Sequence, residues 1–374
     1  MSGLHLRSLT LLNLRSHRRA QIDADARPVA IWGRNGAGKT NILEAVSLLS
    51  PGRGFRRAAA ADIARRPDAP GWKIRAELRA PDRTHEIETF SESGSARQVR
   101  IDDKSASQIA LGRIAQVLWL LPSMDRLWIE GADGRRRFLD RMALSFDAGH
   151  AEAALAYEKA MRERNKLIKE QVRDESWFSA LEAQMATAGN RLHQGRLVAL
   201  AEVQAAQEQA QTAFPAAELE LQQSEGEMPE TEDDLRAALA ESRFRDFAAG
   251  RALVGPHRTD LYGVYAAKGV PARDCSTGEQ KALLVSLILS NARALAARNG
   301  AAPILLLDEV TAHLDSGRRA ALFDEICALQ SQAWMTGTGP ELFAELGDRA
   351  MGLEVRETDG LSEVLHMTAG EDTT

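Results

Sequence analysis

The sequence predicts an α/β fold with a parallel-sheet core, an N-terminal antiparallel subdomain and an inserted helical lobe. Three observations carry that prediction. An apolar strand, Val29-Ala30-Ile31-Trp32, runs straight into the glycine-rich loop Gly33-Arg34-Asn35-Gly36-Ala37-Gly38-Lys39-Thr40 and then into a helical stretch. A second apolar run, Pro303-Ile304-Leu305-Leu306-Leu307, ends on the acidic pair Asp308-Glu309 and reads as a strand buried on both faces, as in a parallel sheet. Between them, from Gly134 to about Ala213, the chain is rich in Ala, Leu, Glu, Gln and Arg with almost no proline, a composition that favours helix.

Taken in order, Leu4–Leu6 and Leu9–Leu14 read as short opening strands, and the polar residues among these leucines exclude a signal peptide. A helix over Asn41–Leu49 stops at Ser50-Pro51-Gly52. Residues 71–121 are strand-rich, with Trp72 to Leu78 alternating and Gln116 to Leu121 mostly apolar. Phe214-Pro215 and the acidic stretch Ser224 to Asp234 interrupt the helical region, and a further short helix reaches Phe247. The core pattern resumes after Gly250, with a helix over about Glu279–Arg298 and a C-cap at Asn299-Gly300. The expected division is therefore 1–121 (first part of lobe I), 122–250 (helical lobe II) and 251–374 (the rest of the core). The tail from Thr368 is expected to be loose.

At 374 residues, two or more lobes are the default. With 44% hydrophobic and 27% charged residues the composition is that of an ordinary globular protein. No apolar run is long enough for a membrane span. The two cysteines, Cys275 and Cys327, have no metal-ligand spacing around them, so a reduced, cytoplasmic protein is expected. The net charge of −6 hides an asymmetry: residues 1–80 carry 15 Lys+Arg against 6 Asp+Glu, a net of +9, which leaves −15 for the remaining 294. That bias hints at a polyanion-facing surface, although phosphate-binding residues and solvated arginines raise the count as well.

The strongest chemical signal is Gly33-x-x-x-x-Gly38-Lys39-Thr40. Its glycines let backbone N–H groups turn towards phosphate oxygens. Lys39 would reach the β- and γ-phosphates and the Thr40 hydroxyl would ligate Mg²⁺. Asp308 at a strand end can hold the Mg²⁺ shell, and Glu309 beside it can orient and deprotonate a water. Ser276-Thr277-Gly278-Glu279-Gln280-Lys281 opens a helix, with Ser276 and Glu279 spaced as a capping box. Alone this is an ordinary capped helix. It precedes the acidic strand by one helix, which is where ATP-binding-cassette proteins carry their signature.

On these motifs the chain resembles the ABC-type ATPase heads of the SMC-like repair proteins, and most closely the bacterial RecF family. Ala312-His313-Leu314-Asp315 matches that family's D-loop, and Leu253 to Asp260 looks like a further hallmark, with Thr259 where an acidic residue is common. Leu121-Pro122 and Arg135-Arg136-Arg137-Phe138-Leu139-Asp140-Arg141 also match. The resemblance implies an ATP site made of Gly33 to Thr40 of one subunit and Ser276, Thr277, Gly278, Glu279, Gln280, His313 and Asp315 of a second. It also implies Mg²⁺ at Thr40 and Asp308, Glu309 as the catalytic base, and slow hydrolysis in an ATP-induced homodimer. The implied work is DNA repair and replication under DNA damage and the SOS response: RecA loading at single-strand gaps, together with RecO and RecR. Thr336-Gly337-Thr338 sits where transporter ATPases carry a switch histidine. Departures are Met124 where Glu is frequent, Asn13-Leu14-Arg15 for the usual Asn-Phe-Arg, and no clear Q-loop glutamine; Gln116 is an alternative, but at the start of a strand.

Arg53, Arg56, Arg57, Arg65 and Arg66 cluster with glycines and Phe55, and are candidates for sequence-independent contacts to DNA phosphates, duplex or gapped. A solvated arginine face would look the same. Arg135 to Arg137 could instead hold the helical lobe to the core. The alternatives in function are a transporter ATPase subunit, against which the missing switch histidine stands, and an SMC-like head. The helical insert lacks the sustained heptads that an SMC arm needs. A further alternative is an ATP-switched scaffold without direct DNA contact.

Overall fold

The computed structural model describes residues 3–66, 70–92, 94–310 and 314–367. They form two compact units: residues 1–125, 209–215 and 277–374, and residues 126–208 and 216–276.

The first unit opens with β1 (His5–Leu14), β2 (His17–Asp23) and β3 (Val29–Trp32), followed by α1 (Lys39–Ser47) and the single turn α2 (Ala60–Ile63). Then come β4 (Gly71–Arg79), β5 (Thr84–Glu92), β6 (Gln98–Ile101), β7 (Lys104–Ala106) and β8 (Val117–Leu120). Six of these strands make an antiparallel sheet in the order β2-β1-β4-β5-β6-β7, the expected N-terminal subdomain. Alternation explains its two faces: in β4, Trp72, Ile74, Ala76 and Leu78 are buried while Arg75 is exposed. The leucines of the opening segment lie on one continuous strand rather than two short ones. A bulge between Leu6 and Ser8 interrupts its register with β4. Buried Gln332 completes the pairing there, accepting from Leu6 N at 2.8 Å and donating to Leu6 O at 2.9 Å.

The second unit holds α3 (Ala132–Phe146), α4 (Gly149–Lys169), α5 (Glu175–Glu208), β9 (Ala217–Gln223), α6 (Glu232–Glu241), α7 (Arg243–Ala249), β10 (Thr259–Tyr265) and β11 (Val270–Pro271). Its helices pack around Tyr157, Met185, Leu192, Leu235 and Leu239. It is not purely helical. β9, β10 and β11 form a three-stranded antiparallel sheet, and β10 pairs with β9 from Thr259↔Gln223 to Tyr265↔Ala217. That pairing gathers residues 251–276 into this unit instead of the ATPase core that the sequence suggests. The motif around Pro256 is absorbed by the same unit. Arg196 donates to Pro256 O at 2.6 Å, and Arg135 grips Asp260 through two bonds of 2.7 and 2.8 Å. His257 Nε2 lies 3.1 Å from Ala252 O, so it carries the proton and Nδ1 accepts from the Tyr157 hydroxyl at 2.7 Å. Arg136 donates to Thr259 O at 3.1 Å, so Arg135 and Arg136 tie α3 to β10 inside one unit.

The first unit resumes with α8 (Thr277–Asn299), β12 (Ile304–Leu307), α9 (Ser316–Ala328), β13 (Ala333–Gly337), β14 (Met351–Thr358) and β15 (Leu361–Met367). The core sheet runs β15-β14-β3-β13-β12-β8. All neighbours are parallel except the β14–β15 hairpin. β12 is buried at every position, as its unbroken apolar run requires. The carboxyl ends of β3 and β12 are separated by β13 alone, and ligands of open parallel sheets bind at such ends.

Candidate nucleotide-binding site

The loop after β3 is built for an anion. Gly38 is the N-cap of α1, with φ 106, and no acidic residue occupies the first turn of that helix. The positive end of the helix dipole and the N–H groups of Lys39 and Thr40 therefore face the loop with no carboxylate in that first turn. A Cβ at Gly33 would overlap the Val355 carbonyl, and one at Gly38 would overlap Ser16 and Ser362. Both positions therefore need glycine for close approach as well as for backbone conformation. Lys39 Nζ donates to Gly33 O at 2.7 Å and to Arg34 O at 2.9 Å, which folds the side chain back over the loop. Burial pushes its pKa down, while Glu309 and Asp308 act in the opposite direction. Arg34, Asn35 and Gly36 are exposed and Ala37 is buried.

The loop is braced from behind by residues that no motif marks. His17 Nε2 lies 3.0 Å from Gly38 O, and Ser362 Oγ donates to Ala37 O at 2.6 Å. Ser16 Oγ lies 2.6 Å from Ser362 Oγ and accepts from Asn41 Nδ2 at 2.8 Å. These ties occupy loop carbonyls. Burial pushes the His17 pKa down, so the ring is neutral near pH 7 and Nε2–H donates to the carbonyl.

β12 delivers the acidic pair to the same end of the sheet. Thr40 Oγ1 donates to Asp308 Oδ1 at 3.0 Å, and Thr336 Oγ1 donates to the same oxygen at 2.7 Å. Glu309 has a left-handed backbone, φ 51, and its N–H donates to Thr336 Oγ1 at 3.0 Å. Thr336 lies within β13. A hydroxyl and a nearly buried carboxylate in contact are hard oxygen donors, the type Mg²⁺ takes, and Lys39 supplies the cationic partner for phosphate.

Other expected residues fall elsewhere. Gln116 lies at the opposite end of β8: Val117 pairs with Ile304 and Leu120 with Leu307, and Gln116 Oε1 accepts from Asn299 Nδ2 at 3.1 Å. It is therefore removed as a Q-loop candidate, because the end of β8 that lies beside the acidic pair is the other one, where the Asp308 N–H donates to Leu120 O at 3.0 Å. Ser276, Thr277 and Gly278 are exposed at the start of α8, Glu279 is half-buried and Gln280 buried. Asp315 caps α9, accepting from Arg318 N at 2.8 Å. Thr311, Ala312 and His313 lie outside the described residues.

The five candidate arginines do not form one free face. Arg56 donates to Glu44 Oε2 at 2.7 Å and to Asn41 Oδ1 at 2.8 Å. Arg65 donates to Gly360 O at 3.1 Å, and Arg66 pairs with Asp62 at 2.7 Å. Arg53 and Arg57 are exposed. Glu44 is 2% exposed and is also gripped by Arg15 through two bonds of 2.9 and 2.7 Å. That hydrogen-bonded partner pushes the Arg15 pKa up.

The family model of the RecF/RecN/SMC N-terminal domain matches residues 5–360. The DNA replication and repair protein RecF of Rhizobium rhizogenes is 47% identical over 353 residues, which cover 91% of this chain and 94% of that protein. The chain belongs to the RecF family. RecF of Mesorhizobium japonicum is likewise 47% identical, over 94% of this chain and 96% of its own length. Among solved structures, RecF-ATP in the RecFOR pathway superposes with a TM-score of 0.81 at 23% identity, covering 97% of this chain and 98% of that one. The Smc head domain of Pyrococcus furiosus superposes with a TM-score of 0.57 at 16% identity, over 98% and 96% of the two chains. The fold is thus the ABC-type ATPase head shared by RecF and SMC proteins. Among the described residues no helix is long and apolar enough to cross a membrane.

Proposed function

We propose that this chain is an ATP-dependent DNA repair ATPase in which ATP closes two copies on DNA and hydrolysis releases them. The observation that carries the reading is the convergence of Lys39, Thr40, Asp308 and Glu309 at the carboxyl ends of β3 and β12. The names of the relatives, with RecF-ATP among the similar structures, supply the nucleotide and the biological setting.

The phosphates lie against the Gly33–Thr40 amides, and Lys39 leaves the Gly33 and Arg34 carbonyls to meet the terminal phosphates. Thr40 and Asp308 would hold Mg²⁺, which neutralises phosphate charge when bound. Glu309 orients the water and accepts its proton. The exposed Ser276, Thr277 and Gly278 fit a surface that a second copy completes, with Glu279 and Gln280 behind them and Asp315 as a further contributor. DNA contact is assigned to Arg53 and Arg57 first, because Arg56, Arg65 and Arg66 already have partners in the protein. RecO, RecR and RecA are its partners in gap repair.

The test is a duplex and gapped-DNA titration with ATP, with ADP and without nucleotide, at two salt concentrations. Tighter, salt-sensitive binding with ATP is expected. Binding that ignores nucleotide and salt would favour an ATP-switched scaffold without direct DNA contact.

A further inference from the structure

We propose that Thr336 is a positioning residue whose single hydroxyl sets both members of the acidic pair. The proposal rests on the ATPase reading and deepens it. Thr336 is fully buried on β13, between the strand that carries the phosphate loop and the strand that carries the acids. Register brings it there: Ile31 pairs with Thr336 and Leu307 with Met335, so Thr336 is level with Asp308.

The direction of each bond follows from the groups. The Glu309 N–H can only donate, so Thr336 Oγ1 accepts from it at 3.0 Å. The hydroxyl proton is then committed to Asp308 Oδ1 at 2.7 Å. Thr40 donates to that same oxygen at 3.0 Å. With two hydroxyls on Oδ1, the Asp308 carboxylate is fixed in rotation. The accepted bond matters as much, because Glu309 holds a left-handed conformation, φ 51, that a residue with a Cβ adopts only when its surroundings impose it. The carboxylate of Glu309 is aimed by that backbone. Thr336 therefore acts on protein groups from inside the strand, unlike a switch residue that touches phosphate. Thr338, two residues on, is the exposed threonine of this segment.

Valine keeps the shape of threonine and removes the hydroxyl, whereas serine keeps the hydroxyl and removes the methyl. In the full chain, Thr336→Val is expected to lower kcat about 10–100-fold and to raise the Mg²⁺ concentration needed for half-maximal tightening of a fluorescent ATP analogue by a similar factor. Thr336→Ser should stay within about threefold of wild type in both. Analogue affinity without Mg²⁺ should be unchanged in both variants, and Thr336→Ala, run beside them, should repeat the valine result if valine fails to fold. Wild-type Mg²⁺ dependence and turnover in the hydroxyl-free variants would overturn the proposal. So would a serine variant as impaired as valine, or an equal loss of metal-free affinity, which would mark a collapsed loop. A wild-type chain without turnover would instead overturn the ATPase reading, and the Mg²⁺ dependence of analogue binding would still decide the role of Thr336.

Discussion

Arg56 and Glu44 are joined in this structure: the guanidinium lies 2.7 Å from Oε2 of a buried carboxylate carried by α1. Its sequence neighbour Arg57 points the chain a different way, with φ 55 and an exposed side chain. Two adjacent arginines that look equivalent as letters therefore have different work. Arg56→Ala should destabilise the fold by about 1–2 kcal/mol, because Arg15 still pairs with Glu44 but the half-exposed guanidinium's bonds to Glu44 and Asn41 are lost. Arg57→Ala should leave stability within about 0.5 kcal/mol and lower the slope of log K against log salt for duplex DNA by about 1. Thermal melts and salt-series binding on the two variants check this. Equal effects from both would show that the Glu44 pairing does not separate them.

Lys39→Ala removes the one ammonium that the loop folds over its own carbonyls. ATP affinity should fall by about two orders of magnitude, since a desolvated charge partner is lost. Equilibrium binding of a fluorescent ATP analogue measures it. Unchanged affinity would remove the Gly33–Thr40 assignment altogether.

Glu309→Gln keeps the size of the side chain and removes its basicity. Turnover should fall about 10²–10⁴-fold, with the ATP-bound dimer accumulating. Sedimentation in the presence of ATP reads that state directly, and a variant that remains monomeric there would argue against ATP-driven pairing.

His257 links stability to pH. Burial is the main cause that pushes its pKa down to about 4. The unfolded chain therefore takes up a proton near pH 6.5, before the folded chain does. Stability is complete above about pH 6.5 and is lost as pH falls towards 4, by about 2 kcal/mol at pH 5. Urea unfolding at pH 7 and pH 5 should show that loss in the wild type and a smaller one in His257→Gln. An identical pH dependence in both would assign it to other groups.

The glycine-rich loop after β3, the acidic end of β12 and the helix over about Glu279–Arg298 are legible in the sequence, because each depends on contiguous residues whose types state their own conformation. Val29 to Thr40 reads as strand, loop and helix in a single pass, and Ile304 to Glu309 as a buried strand with an acidic end. The inserted region was legible as helical, but β9 was not: Ala217-Glu218-Leu219-Glu220-Leu221 uses good helix formers, and only pairing with β10 makes it a strand. The same pairing decided that residues 251–276 belong with the helices. Folding brings Ser362 and His17 to the carbonyls of Ala37 and Gly38, Glu44 to Arg56, and Thr336 to Asp308. Those bonds join residues of different elements, from 12 positions apart for Glu44 and Arg56 to 325 for Ala37 and Ser362. No local pattern encodes them, since a serine, a histidine or a threonine looks the same in sequence whether it faces solvent or holds a loop in place.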